Sequence, residues 1–332
     1  MRQPLARERV EERPALLPRL APAAGRAIVG PMIAPPALRP GDAVSVVAPS
    51  GPFEREPFDK GLAVLRALGL EPRFDDRIFA RQRYLAGPDA HRLALLDEAL
   101  ADPATRAVWF ARGGYGAMRL LPSLRLRAFA ERPKLVAGFS DATALHGALN
   151  ARGLRTLHAP VLTQLGKQPE PVVERLRALL FSPGVPPPLD AAPPRTITPG
   201  AARGLLLGGN LSVLTRLLGT PFMPSLAGAI LLVEDVGERP YRLDRLWTHL
   251  VLSGALAGVR GIAVGDLTGC EEKDADYRAI DVLSELVRAL GVPAVAGFAV
   301  GHGEVNQPLP LGAEVELDAD RGRLTFLEGA VA

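Results

Sequence analysis

The sequence is poor in cysteine, aromatic residues and long apolar runs, and each shortage removes a class of explanation. One cysteine in 332 residues, Cys270, allows no intrachain disulfide and offers no cysteine-based metal spacing. Aromatic residues make up 5% of the chain, and no Lys/Arg cluster is interleaved with them as a nucleic-acid surface would require. No apolar run approaches the roughly 18–20 residues that span a bilayer. Charge excess is equally scarce. The formal net charge is +3, and the first 31 residues alone hold six Arg and three Glu, so the remainder is close to neutral. Neither nucleic acid nor membrane is expected as a partner. The first 31 residues also lack the uninterrupted apolar segment of a secretory leader, because Arg and Pro break them repeatedly. Residues 1–34 are read as a disordered extension, with Met32 as a candidate start of the chain.

What is present is an apolar fraction of 48%, enough for a substantial core, in a length that favours two domains. Strand and helix patterns alternate. Residues 42–50 (DAVSVVAPS) and 106–112 (RAVWFAR) read as buried strands, with helices over 57–69 and 89–101 around them. A third buried strand, 134–139, runs into a helix that Gly153 closes, and the alternation ends near 155–160. This is the pattern of a parallel sheet with helices on both faces. From about 164 the character changes, and the proline-dense stretch 182–200 reads as part of an interdomain linker. Beyond it come strands at 204–210, 229–235 and 261–267, helices at 211–219, 241–252 and 279–290, and two terminal strands at 313–318 and 323–329. The expected division is an α/β domain over 35–165, a linker over 166–200 and a second domain over 201–332.

Ser140 sits at the pivot between strand and helix. Such a turn holds a hydroxyl in the open, near helix-start amides that can stabilise an oxyanion; equally, Ser140 and Asp141 are good helix-capping residues. Among five histidines, His91 and His249 fall within amphipathic helices, His146 in the helix after Ser140, and His158 at a strand end. His302 differs, lying between two glycines just beyond an apolar strand, where catalytic groups collect. Glu234 and Asp235 end an otherwise apolar strand, a costly place for a carboxylate without a partner. Either could orient an imidazole, or pair with Arg242 or Arg245. The turn ARGGYGAMRL half-matches a dinucleotide fingerprint but has Arg119 where the last small residue belongs; Gly113 and Gly114 could instead bring backbone amides to a reacting oxygen. GFSDA departs from the G-x-S-x-G elbow at Ala142, which disfavours an ordinary α/β-hydrolase.

Taken together, PPALRPGDAVSVVAPSGP, ARGGYGAMRLLP, PKLVAGFSDATALH, GGNLSVLTRLLGTPF, LLVEDVGERPYRLDRLWTHL and GHGEVNQPLPLGAEVEL resemble the LD-carboxypeptidase family of serine peptidases. That family includes relatives giving self-immunity to microcin C. The resemblance implies a Rossmann-like N-terminal domain and a smaller C-terminal domain with a barrel-like sheet, commonly as a homodimer. It implies a nucleophile at Ser140, a triad glutamate at Glu234 rather than Glu238, and a base at His302. The oxyanion amides would be those of Asp141 and Gly114. Arg112, Asn210 and Arg245 are candidates for binding the substrate carboxylate. No metal and no cofactor is implied. The implied substrate is the murein tetrapeptide, which loses its terminal D-Ala during cytoplasmic cell-wall recycling. A peptidyl-nucleotide toxin is the nearest rival substrate, and a non-catalytic nucleotide-binding module using the GGYG turn is the rival of another class.

Overall fold

The protein is described by a computed structural model over residues 32–332, and the extension expected over 1–31 lies outside those residues. Its last part, 32–34, is packed rather than loose. Met32 is buried, and Ile33 exchanges backbone hydrogen bonds with Gly153 and Arg155.

Which way each strand residue points decides the first half. β1 (Ala43–Val47), α1 (Arg55–Ala67), β2 (Glu71–Arg73), α2 (Asp89–Ala101), β3 (Ala107–Phe110), α3 (Leu126–Glu131), β4 (Leu135–Gly138), α4 (Thr143–Asn150) and β5 (Thr156–His158) follow one another. All of β1 and β3 are buried, as are β4 and β5, so both faces of this sheet must be covered. Trp109 of β3 packs with Phe58, Leu62 and Leu65 of α1, whereas Val108 and Phe110 pack with Leu96 of α2 and Leu145 and Leu149 of α4. The strands pair in parallel in the order β2-β1-β3-β4-β5, a doubly wound sheet whose order reverses at β1/β3. Ligands of such sheets bind at the carboxyl ends of the strands near that reversal.

The second half begins with α5 (Leu162–Leu165) and α6 (Glu170–Phe181), then β6 (Leu189–Asp190), β7 (Arg195–Thr198), β8 (Ala201–Asn210) and α7 (Leu211–Thr215). β9 (Ala229–Val236), α8 (Pro240–Leu252), β10 (Gly261–Thr268), α9 (Ala279–Arg288), β11 (Ala294–Ala296), β12 (Leu309–Leu311), β13 (Glu314–Asp318) and β14 (Arg323–Phe326) complete it. Eight strands form a mixed sheet in the order β6-β14-β13-β8-β9-β10-β11-β7. One face carries Leu231, Val233, Ile262 and Val264 against α7, α8 and α9. The other gathers Ile230, Leu232, Ala263, Val295, Leu317 and Phe326 into a core of strand residues. Among the described residues no ladder joins the edges β6 and β7, so the expected barrel-like sheet is not a closed barrel.

The stretch 166–200, expected as a linker, is built into both halves. Leu176, Leu179 and Leu180 of α6 pack on the first sheet, while β6 and β7 form the two edges of the second. Proline excludes a segment from central strands but not from edges, and the prolines of 182–200 flank β6 and β7 rather than fall within them. The expected boundaries at 165 and 201 are crossed a second time. β12 pairs antiparallel with β5, so the first sheet acquires a sixth strand from late in the chain. The C-terminal tail also returns: Ala330 and Val331 are buried in the first core, and Ala332 exchanges backbone hydrogen bonds with Pro35 and Ala37. Among the described residues, no helix is long and apolar enough to cross a membrane.

Candidate active site

Ser140 follows β4 at the start of a one-turn 3-10 helix, Ser140–Ala142, that leads into α4. Its φ is +61°, a left-handed conformation that costs an L-residue roughly 1–2 kcal/mol. The turn is held from below. Asp141 is buried, and its carboxylate accepts hydrogen bonds from the Ser50 hydroxyl at 2.6 Å and the Ala117 amide at 2.8 Å. Burial pushes the Asp141 carboxyl upward, and those two donors pull it back. One carboxylate thereby ties together the loops after β1, β3 and β4.

The GGYG turn lies against the serine. A Cβ on Gly113 would stand 2.9 Å from both Cβ and Oγ of Ser140, so only glycine fits this approach. The Gly113 carbonyl accepts from the Gly51 amide at 3.0 Å, which turns the N–H of Gly114 away from Gly51, because a trans peptide sets the two groups antiparallel. The Asp141 amide lies in the first turn of its helix, where N–H groups have no internal partner. Tyr84 and Tyr115 are exposed beside this turn, their rings 6.0 Å apart.

Strand alternation places the carboxylates of β9. Glu234 shares a face with Ile230 and Leu232, whereas Asp235 points with Leu231 and Val233 toward the helices. There Asp235 accepts from the Ser212 hydroxyl at 2.8 Å, the Ser212 amide at 2.9 Å and the Asn210 side chain at 3.1 Å. Glu234 is fully buried and accepts from His302 Nδ1 at 2.7 Å, while its Oε1 has no hydrogen-bond partner among the described residues. Burial raises its carboxyl above the ordinary range, and the bond and charge of His302 oppose that rise. The other ring nitrogen, Nε2, stands 3.1 Å from Ser140 Oγ. With Nδ1–H donated to the carboxylate, Nε2 is the acceptor for the serine hydroxyl. Such a chain can draw off the hydroxyl proton and hold the resulting imidazolium.

The segment around His302 is fixed from several sides. Gly301 has φ +126°, and a Cβ there would lie 2.5 Å from Glu234 Oε2. Buried Asn306 accepts the Gly301 amide at 2.9 Å, bonds His158 Nε2 at 3.2 Å and donates to Gln164 at 3.1 Å. Burial holds His158 down at about 3, so it is neutral. The His302 ring packs on Phe139, centroids 4.7 Å apart. On the β10 side, Asp266 accepts the Gly303 amide at 3.2 Å; burial pushes its carboxyl up to about 6.

Ser140, Glu234 and His302 are thus brought together, with Asp141 and the GGYG turn around the serine. Arg112 precedes Gly113 and is exposed beside the same loops. Asn210 is occupied elsewhere, capping α7 through Val213 N at 3.0 Å as well as bonding Asp235. Arg245 is exposed on α8, 5.4 Å over the Tyr241 ring. Glu238 meets Ser212 and Arg242 rather than His302. Asp266, Asn306 and Ser50 were not anticipated. Asn306 stands inside the stretch GHGEVNQPLP, which is the one signal that marked it.

Two domain descriptions match this chain: LD-carboxypeptidase N-terminal domain over residues 44–159 and LD-carboxypeptidase C-terminal domain over 203–317. The chain belongs to the LD-carboxypeptidase family. It is a serine-type carboxypeptidase, a hydrolase. A Bacillus subtilis protein described as a probable murein peptide carboxypeptidase is 35% identical over 86% of this chain and 91% of its own. The murein tetrapeptide carboxypeptidase of Pseudomonas aeruginosa is 34% identical over 84% of this chain and 94% of its own. The LD-carboxypeptidase fold is shared with the microcin C7 self-immunity protein in complex with aspartyl sulfamoyl adenosine. That structure has a TM-score of 0.82 and 24% identity, covering 90% of this chain and 100% of the other.

Proposed function

We propose that the protein releases the terminal D-Ala from murein tetrapeptide by a Ser140–His302–Glu234 triad. The observation that carries this is the unbroken chain of contacts, 2.7 Å from carboxylate to imidazole and 3.1 Å from imidazole to hydroxyl, next to a turn only glycine can make. His302 Nε2 takes the Ser140 proton as Oγ bonds to the carbonyl carbon between an L-centre and the D-residue. The amides of Asp141 and Gly114 hold the oxyanion. His302 then passes the proton to the leaving nitrogen, the C–N bond breaks, and D-Ala departs. Water, deprotonated by the same imidazole, hydrolyses the acyl-serine and restores the enzyme. Glu234 fixes the tautomer and balances the imidazolium charge.

In this reading the first sheet brings the nucleophile and the second brings base and carboxylate, two domains with the site at their junction. Cell-wall recycling, a cytoplasmic location and a homodimer go with it. The test is mass spectrometry of tetrapeptide incubated with the protein. D-Ala release is expected, with kcat lowered at least ~10³-fold by Ser140→Ala or His302→Ala and somewhat less by Glu234→Gln. Undiminished release by Ser140→Ala would refute the assignment. Preferential cleavage of aspartyl sulfamoyl adenosine would instead place the substrate with the immunity relatives.

A further inference from the structure

The strand next to β9 breaks its own regularity at the height of Glu234. The register of β9 and β10 holds as far as Val233 opposite Val264, and it resumes with Asp235 opposite Leu267. Two residues of β10, Gly265 and Asp266, therefore oppose Glu234 alone, which is a β-bulge. Regular alternation would turn Asp266, like Val264, toward the helices. The bulge instead turns Gly265 and Asp266 both toward the triad, and Leu267 returns to the helix side. A carboxylate is thereby moved from the helix layer to the loop that carries His302.

Asp266 grips that loop at both ends. Its amide donates to the Val300 carbonyl at 2.9 Å, and its carboxylate accepts the Gly303 amide at 3.2 Å. Both approaches are close: a Cβ on Gly265 would collide with the Val300 carbonyl, and one on Gly303 would lie 2.6 Å from the carboxylate. Burial opposes the ionisation of Asp266 and the charge of Glu234 adds to that, while the Gly303 amide and the charge of His302 favour it. Glu304, next along the loop, is exposed, and His158 of β5 is buried and neutral. The imidazole thus has two carboxylates about it, one bonded to Nδ1 and one bonded to the following amide of the chain.

We infer that Asp266 is a positioning residue for His302, clamping residues 300–303 through backbone bonds while its negative charge assists transfer of the Ser140 proton to Nε2. The inference rests on the triad reading above and adds a fourth side chain to it. No proton passes to Asp266. The proton leaves Oγ and arrives at Nε2, and the imidazolium so formed is balanced by two negative charges rather than one. Burial, with Glu234 nearby, pushes the Asp266 carboxyl up to about 6. The assistance is therefore present above that pH and is lost as pH falls through it.

The experiment reads the nucleophile directly. A fluorophosphonate is added to the whole protein, Ser140 Oγ displaces fluoride from phosphorus, and intact mass follows the rate, with Ser140→Ala as the blank. Asp266→Asn keeps an acceptor for the Gly303 amide and removes the charge, whereas Asp266→Ala removes both. Circular dichroism confirms that each variant is folded before labelling. Between pH 5 and pH 8 the ratio of parent to Asp266→Asn labelling rates is expected to rise about three- to tenfold. Asp266→Ala is expected to be slower than Asp266→Asn at both pH values. In D-Ala release the same rising ratio should appear in kcat, with KM little changed. A merely structural residue would slow labelling by one factor at every pH. A flat ratio, or an Asp266→Ala protein that labels like the parent, would overturn the inference. The expected labelling pattern in a protein that releases no D-Ala would support it and sink the substrate reading alone; a parent that does not label would end both.

Discussion

Ser140 and Asp266 each hold a state that the surrounding fold makes unfavourable. The serine keeps a left-handed backbone, which the Ser50–Asp141–Ala117 bonds and the close approach of Gly113 enforce. Asp266 keeps a carboxyl in a half-buried position beside Glu234, whose negative charge adds to the effect of burial; the Gly303 amide and the charge of His302 work against both. Its folded value of about 6 exceeds the ordinary 3.8, so between those values the native state binds more protons than the unfolded one. The stability this group contributes is therefore complete below pH 3.8 and falls as pH rises through 6. Asp266→Asn removes the charge while keeping the shape. The variant is expected to melt higher than the parent at pH 8, with the difference closing below about pH 4. Thermal melts across that range check this, and a constant offset at every pH would contradict it.

The element that matters most to the geometry is the segment 301–307, which has no regular structure of its own. Its position comes from Asn306, fixed to α5 through Gln164 and to the end of β5 through His158. Asn306→Ala should leave an unpaired Gly301 amide and let the imidazole drift from Ser140. A tenfold or larger fall in kcat is expected, with faster hydrogen exchange at Gly301; wild-type kcat in the variant would argue that Glu234 alone positions the ring. Much at this scale was legible in the sequence. α2 was expected over 89–101 and found there, and α8 was expected over 241–252 and found at Pro240–Leu252, because both show 3.6-residue periodicity. β12 was not legible: its LPL run is flanked by proline and glycine, and its partner β5 lies about 150 residues earlier. Ser140, Glu234 and His302 were marked by turn, strand end and glycine context together with the order of motifs. Asp266 was hidden, and Asn306 was marked only by its place in GHGEVNQPLP, because their roles depend on how β10, β5 and the 301–307 segment meet in space.

At the scale of the molecule, the halves are interleaved rather than joined end to end. α6 packs on the first sheet, β12 extends it, and the tail closes on Pro35 and Ala37, while β8 and α4 meet where the Asn210 amide donates to Thr143 at 3.0 Å. Each fully buried leucine in these crossings stabilises by about 1.5–3 kcal/mol, so neither half should persist alone. Calorimetry of the whole chain is expected to show a single unfolding transition, and removal of residues 330–332 should lower its midpoint; two separated transitions would contradict this. The returning strand also bears on how the enzyme is made. The ribosome makes the five strands β1 to β5 of the serine-bearing sheet well before β12, which borders them, and before His302, which meets the serine. Under the proposed triad, a nascent chain that has not yet reached residue 302 carries a serine without its base and is expected to be inert.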